Sequence, residues 1–182
     1  MASFFIGGAV GYVAKPSTPG EQPGDDRGVR KIEAYFSPNG GCLGAILAKI
    51  RSAKSTILVQ AFSFTSKTIA AELVAAKARG VVVRVAVDSD AARDRNSIVP
   101  ALLEGGVDVL VDAKHAIAHS KVMIVDSFIV ITGSYNFSES AERRNLENML
   151  VIRDAILAAK YAANWEAHAA HSISVAPFPV AP

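Results

Sequence analysis

A chain of 182 residues, 51% hydrophobic and 20% charged, carries enough apolar material for one sizeable core and falls outside the disordered class. Its formal net charge of +2 provides no global basic field, so a polyanionic partner would have to be held by a local patch. Cys42 is the single cysteine. That excludes an internal disulfide framework and a multi-cysteine metal site, and it reads as a small buried apolar residue near a helix start.

Residues 1–14, MASFFIGGAVGYVA, are apolar and uncharged. They are fewer than the roughly 20 residues of a membrane span and are similar to the apolar part of a secretory signal. No Lys or Arg precedes the run, and no clean small-x-small cleavage site follows it. The expectation is an exported chain, periplasmic or secreted, or one tethered to a membrane through this segment. Residues 15–29, KPSTPGEQPGDDRGV, have linker composition. The folded domain is expected over residues 30–170.

From there the pattern alternates. Lys31 to Phe36 reads as a strand, and Pro38-Asn39-Gly40-Gly41 as a turn. Leu43, Ile46, Leu47 and Ile50 recur at helical spacing, which predicts a helix over 42–54. Thr56 to Phe64 is β-rich, 67–79 is helical with Gly80 as its stop, and Val81 to Val87 is a buried strand. A polar loop, Asp88 to Arg95, leads to a helix near 97–104 and a strand from Val107 to Val111. This alternation predicts an α/β fold in one domain. The expected architecture is a mixed, mostly parallel β-sheet flanked by helices on both faces. In the second half, strands over Lys121–Val125 and Phe128–Thr132 are separated only by Asp126-Ser127, and Leu146 to Ile152 is a third strand. A closing helix over 154–170 is expected to bury Ile156, Leu157, Tyr161 and Trp165. Residues 171–182, with three prolines, read as a loose tail.

The informative stretch is residues 118–138, AHSKVMIVDSFIVITGSYNFS. At strand spacing His119 and Lys121 project to one side. An imidazole beside an ammonium suits a shared anion, because Lys only donates and His serves as nucleophile or proton carrier near neutral pH. Asp126, seven residues beyond His119, faces the other way and suits backbone N–H groups at a turn. Gly133 permits close backbone approach. Ser134 and Asn136 add neutral donors, and the Asn136 amide can hold a phosphoryl oxygen. Glu147 is a carboxylate able to fix a histidine tautomer.

These residues resemble the HxKx₄Dx₆GSxN signature of the phospholipase D superfamily at all six specified positions: His119, Lys121, Asp126, Gly133, Ser134 and Asn136. Average residue usage yields such a match by chance in about one chain in 10⁵ to 10⁶. The likeness extends over roughly residues 30–170. The single copy of the motif, the small size and Glu147 are similar to the Nuc-type bacterial endonuclease branch. In that branch two motifs make one active site, and single-motif members achieve this as homodimers. The resemblance implies that His119 attacks phosphorus to form a phosphohistidine, while His119 of a second subunit protonates the leaving oxygen and then activates water. It further implies that Lys121 and Asn136 hold phosphoryl oxygens, that Glu147 orients His119, that Asp126 is supporting, and that the chemistry needs neither metal nor cofactor.

The substrate class follows less directly. A nucleic acid, DNA or RNA, is the first expectation, with phospholipid headgroups as the alternative and a non-catalytic phosphate-binding module as a third. Arg143 and Arg144 follow the site loop and suit polyanion contacts. Arg93 and Arg95, after Asp88, are similar to this arginine pair, and His115, after Lys114, is a candidate for lining a substrate groove. His168 and His171 read as exposed helix-end residues. Their three-residue spacing offers a weak metal pair with no second ligand cluster in view.

Overall fold

The computed structural model of the chain describes residues 31–175. The apolar segment 1–14 and the linker 15–29 lie outside the described residues, so the expectations about export and tethering fall there too. Eight strands form one sheet: β1 (Lys31–Ser37), β2 (Thr56–Ala61), β3 (Val82–Asp88), β4 (Asp108–Asp112), β5 (Lys121–Val125), β6 (Ile129–Gly133), β7 (Glu147–Arg153) and β8 (Ile173–Val175). The helices are α1 (Cys42–Ser52), α2 (Lys67–Ala78), α3 (Ser89–Arg93), α4 (Val99–Glu104), α5 (Glu139–Arg143) and α6 (Ala155–Ala169).

The strand order is β1-β7-β6-β5-β2-β3-β4-β8. The sheet is mixed, as expected, but the parallel share is smaller than expected. Only β2–β3 and β3–β4 are parallel, while the other five pairings are antiparallel. The helical crossovers α2 and α3–α4 produce the parallel part, because parallel neighbours need a long return. The Asp126-Ser127 turn produces the antiparallel β5–β6 pair. Both residues have positive φ, 52° and 54°, which is the primed turn that joins twisted hairpin strands.

Helices cover both faces. On one side α1, α2 and α4 bury Ile46, Ile50, Ile69, Leu73 and Leu102 against Val83, Val85 and Met123. On the other, α6 lays Trp165 and Ala158 on Ala86, Val122, Ile124 and Val130. Trp165 is fully buried, and its Nε1 donates to the Val59 carbonyl oxygen at 2.8 Å. Truncating such a side chain to Ala costs about 3–5 kcal/mol. The expected stripe of α6 is right at Leu157, Tyr161 and Trp165 but wrong at Ile156, which is 65% exposed. Asp154 accepts from the N–H groups of Ile156 and Leu157 and caps the helix, and the stripe then begins one residue later. Cys42 is buried in the core, where burial and the nearby Glu142 push its thiol up to about 11. The tail is ordered further than expected: residues 173–175 form β8 on the edge of β4.

Candidate active site

The site lies along one edge of the sheet, where β2, β3, β4 and β6 end and β5 and β7 begin. This is the crevice that open α/β sheets offer at strand ends. His119, Ser120, Lys121, Thr132, Gly133, Ser134, Asn136, Glu147 and Tyr161 line a shallow, open cleft there. The motif positions His119, Lys121, Gly133, Ser134 and Asn136 therefore come together with Glu147.

His119 stands exposed on the coil just before β5. Lys121 is 7% exposed, and its Nζ donates to the His119 backbone oxygen at 2.7 Å and lies 3.0 Å from His119 Nδ1. Phe62 completes the packing. Its ring centroid is 4.4 Å from that of His119 and 4.7 Å from Lys121 Nζ. Sequence reading missed Phe62. The only signal was an aromatic following the last strand residue of β2. A cation over a ring face gains from the ring quadrupole while shedding water. Burial lowers the Lys121 pKa from its usual value, and the charge of Glu147 offsets only part of that. Among the described residues no carboxylate lies within ion-pair distance of Lys121. The ammonium is thus held without a matched anion, at a place where an incoming anion can supply one.

Glu147 does not contact His119 within the chain. Its oxygens accept from Ser134 Oγ at 2.6 Å and from Asn145 Nδ2 at 2.9 Å. The reason lies in the strand order, because β6 stands between β7 and β5. Two strand spacings amount to about 9–10 Å. The expected orienting contact is therefore replaced by one that fixes Ser134. Ser134 Oγ also accepts from the Asn148 N–H at 3.1 Å, so the hydroxyl is a scaffold and not a free donor. Asn136 Oδ1 is buried and has no hydrogen-bond partner among the described residues. Gly133 has φ 153°, and a Cβ there would sit 2.3 Å from the Asn148 carbonyl oxygen. Only glycine lets β6 and β7 close at the site.

Asp126 lies at the opposite edge of the sheet, roughly 23 Å of extended chain from His119. It accepts from the N–H groups of Lys54, Ser55 and Thr56 and from the Ser55 hydroxyl, all between 2.7 and 3.1 Å. Burial alone would raise its pKa, but these donors outweigh burial and hold it below the usual range.

Arg143 and Arg144 do not line the cleft. Arg143 ends α5 and pairs with Glu139 at 2.9 Å, and Arg144 is the C-cap of that helix and donates to Ser140 Oγ at 2.8 Å. His115 does not line it either, but belongs to a neighbouring cavity that shares His119 and Ser120 with the cleft. There it lies 2.9 Å from Asp112 Oδ2, alongside His168 and His171. His168 and His171 are half-buried and turned inward, not exposed as expected.

The family described as "Cardiolipin synthase, PLD-like domain" matches residues 46–169. A phospholipase D from Rickettsia conorii is 38% identical over 135 residues, 74% of this chain and 68% of that protein. A mitochondrial cardiolipin hydrolase from Xenopus laevis is 31% identical over 145 residues, 74% of this chain and 69% of that one. Among solved structures, the phospholipase D family member Nuc from Salmonella typhimurium superposes with TM-score 0.78 at 35% identity, covering 81% of this chain and 99% of Nuc. NucT from Helicobacter pylori shares the fold, with TM-score 0.73 at 23% identity over 80% of this chain and 99% of that one. With one motif on one sheet edge, the chain belongs to the phospholipase D superfamily, in its single-motif, Nuc-type branch.

Proposed function

We propose that this chain is a phosphodiesterase that works as a homodimer and cleaves nucleic acid with little regard to sequence. The observation that carries the reading is an exposed imidazole beside a buried, unmatched ammonium in a cleft that holds one such set. In-line displacement at phosphorus needs an attacking group on one side and a proton donor on the other. One chain supplies a single histidine for these two jobs, so a second copy must supply the other.

Lys121 sets the resting tautomer. An ammonium only donates, so a Lys121 contact to Nδ1 places the imidazole proton on Nε2. Attack through Nε2 requires the reverse. A phosphodiester oxygen entering the cleft competes for the Lys121 ammonium and frees Nδ1 to take the proton. Nε2 then attacks phosphorus, the P–O bond breaks, and the leaving oxygen takes a proton from the second subunit's imidazole. That same imidazole next accepts a proton from water, which attacks phosphorus, breaks the P–N bond and frees His119. Asn136 Nδ2 and Lys121 Nζ hold the phosphoryl oxygens, each contributing on the order of 10²–10³ in rate. Splitting the displacement through a covalent intermediate lowers each barrier.

The likeness to Nuc over 99% of that chain supports a polymer substrate. So does the openness of the cleft: the longest connection between described elements is 113–120, too short to form a lipid-gripping insertion. A phospholipid substrate is the second reading. It is favoured by the names of the Rickettsia and Xenopus relatives and by Phe36 and Leu146, 60% and 89% exposed, at the sheet edge that carries Glu147. The same two residues suit a dimer seam. The test is a panel of plasmid DNA, RNA and phospholipid vesicles in EDTA, with wild type and His119→Ala. Cleavage of nucleic acid by wild type alone is expected. Headgroup release without nucleic-acid cleavage selects the second reading. Activity lost in chelator and restored by Mg²⁺ contradicts the mechanism, and a monomer mass under active conditions contradicts the shared site.

A further inference from the structure

The chain has four histidines, and three of them, His115, His168 and His171, converge on one buried carboxylate. Asp112 ends β4 with its side chain 5% exposed. His115 Nδ1, His171 Nε2 and His168 Nδ1 lie 2.9, 3.3 and 3.5 Å from the same oxygen, Oδ2. The three rings stand around it with centroids 5.0, 5.2 and 5.4 Å apart. The other oxygen, Oδ1, is occupied by the N–H groups of Lys114 and His115.

Hydrogen bonding alone is a poor account of this convergence. The two lone pairs of Oδ2 take His115 Nδ1 and His171 Nε2, which leaves the third imidazole, His168, turned to the same oxygen at 3.5 Å without a hydrogen bond to it. A cation between them explains it. In tetrahedral zinc sites the metal–ligand distances are about 2.0–2.2 Å, which puts the ligand atoms about 3.3–3.5 Å apart. The separations from Oδ2 scatter around that value, and all four ligand atoms lie within 4.8 Å of one another. One carboxylate and three neutral imidazoles form a donor set suited to zinc.

We infer that Asp112, His115, His168 and His171 form a four-ligand zinc site with a structural role. Four protein ligands close the coordination shell, so the ion has no open position for substrate. The site is separate from the proposed phosphodiester chemistry and does not depend on it. What it joins is clear from the elements. Asp112 is on β4, His168 is in the last turn of α6, and His171 precedes β8, which pairs with β4. His115 is on the 113–120 loop that leads to His119. The ion thus staples the end of α6 and the edge strand to β4, and it anchors that loop four residues before His119. Ala118 N–H, donating to Asp88 Oδ2 at 2.8 Å, is the second anchor.

The test uses the full chain without a histidine tag. Metal is stripped and zinc returned in a competitive titration against a chromophoric chelator, and cobalt is added to a second sample. The site predicts about one zinc per chain and visible cobalt absorption with the intensity of four-coordinate sites. Zinc at about 100 times its dissociation constant should raise the melting temperature by roughly 5–10 °C. His171→Ala should weaken zinc binding and abolish most of that shift. The wild-type titration and cobalt spectrum need no variant, so a misfolded variant leaves the test intact. No stoichiometric zinc, a weak six-coordinate cobalt spectrum, or unchanged zinc affinity in folded His171→Ala would overturn the inference.

Discussion

The two ends of strand β5 carry residues of one motif and treat their charges in opposite ways. At the start, Lys121 is buried beside Phe62 with no ion-pair partner among the described residues, and burial lowers its pKa. At the end, Asp126 is wrapped by N–H and O–H donors from residues 54–56, which lower its pKa despite burial. The direction is the same, but the meaning is reversed. A lowered lysine pKa says the fold disfavours its charge, whereas a lowered carboxylate pKa says the fold favours it. One end holds an unmet electrostatic demand that a phosphate can satisfy. The other is satisfied already and holds the hairpin to the α1–β2 corner.

Four experiments break or sharpen this contrast. His119→Ala should lower phosphodiester cleavage by at least about 10⁴-fold, read as kcat/KM, with the melting temperature unchanged because the side chain is exposed. Lys121→Met should lower it by about 10²–10³-fold while leaving the fold as stable as wild type or more so. A large loss of stability in that variant would show that the ammonium is structurally matched after all. Asp126→Ala should do the reverse, costing about 1–3 kcal/mol in denaturant unfolding by removing a carboxylate that accepts hydrogen bonds from residues 54–56, with activity per folded molecule retained.

The pH dependence is the smallest effect, and its sign separates the two ends. The Asp126 contribution is fully present above its unfolded pKa and is lost as pH falls through the lowered folded value. The stability gap between wild type and Asp126→Asn should therefore close in acid. For Lys121, the unfolded state binds more protons between the lowered folded value and the ordinary value of about 10.4, so wild-type stability rises with pH across that window. Any stability advantage of Lys121→Met should shrink there. Activity, which needs the charged amine, should fall on an alkaline limb below the ordinary lysine value.

What the sequence disclosed depended on how local the signal was. The β5–β6 hairpin was legible because a turn pair separates two continuous apolar runs, and His119, Lys121, Gly133, Ser134 and Asn136 were legible as a group because they lie at or near the open end of that hairpin. The parallel share of the sheet was not, since the β1–β7 pairing joins segments more than a hundred residues apart. Short α5 has five residues and no full apolar period, and β8 has three residues whose pairing with β4 no local pattern announces. The Glu147 contact was misjudged because spacing along the chain does not reveal which strand lies between. His168 and His171 were visible as a pair. Their partners Asp112 and His115 repeat the same three-residue spacing, but only the docking of α6 on the sheet brings the two pairs together.

The central claim is that His119 is the nucleophile, and covalent trapping tests it most directly. Wild type is mixed with a phosphodiester substrate in EDTA, quenched during turnover and digested under conditions that preserve phosphoramidate bonds, and its peptides are analysed by mass spectrometry. The account predicts a phosphorus adduct on the peptide bearing His119, absent from His119→Ala. Turnover with no adduct on any histidine, or an adduct on another residue that survives in His119→Ala, would contradict it.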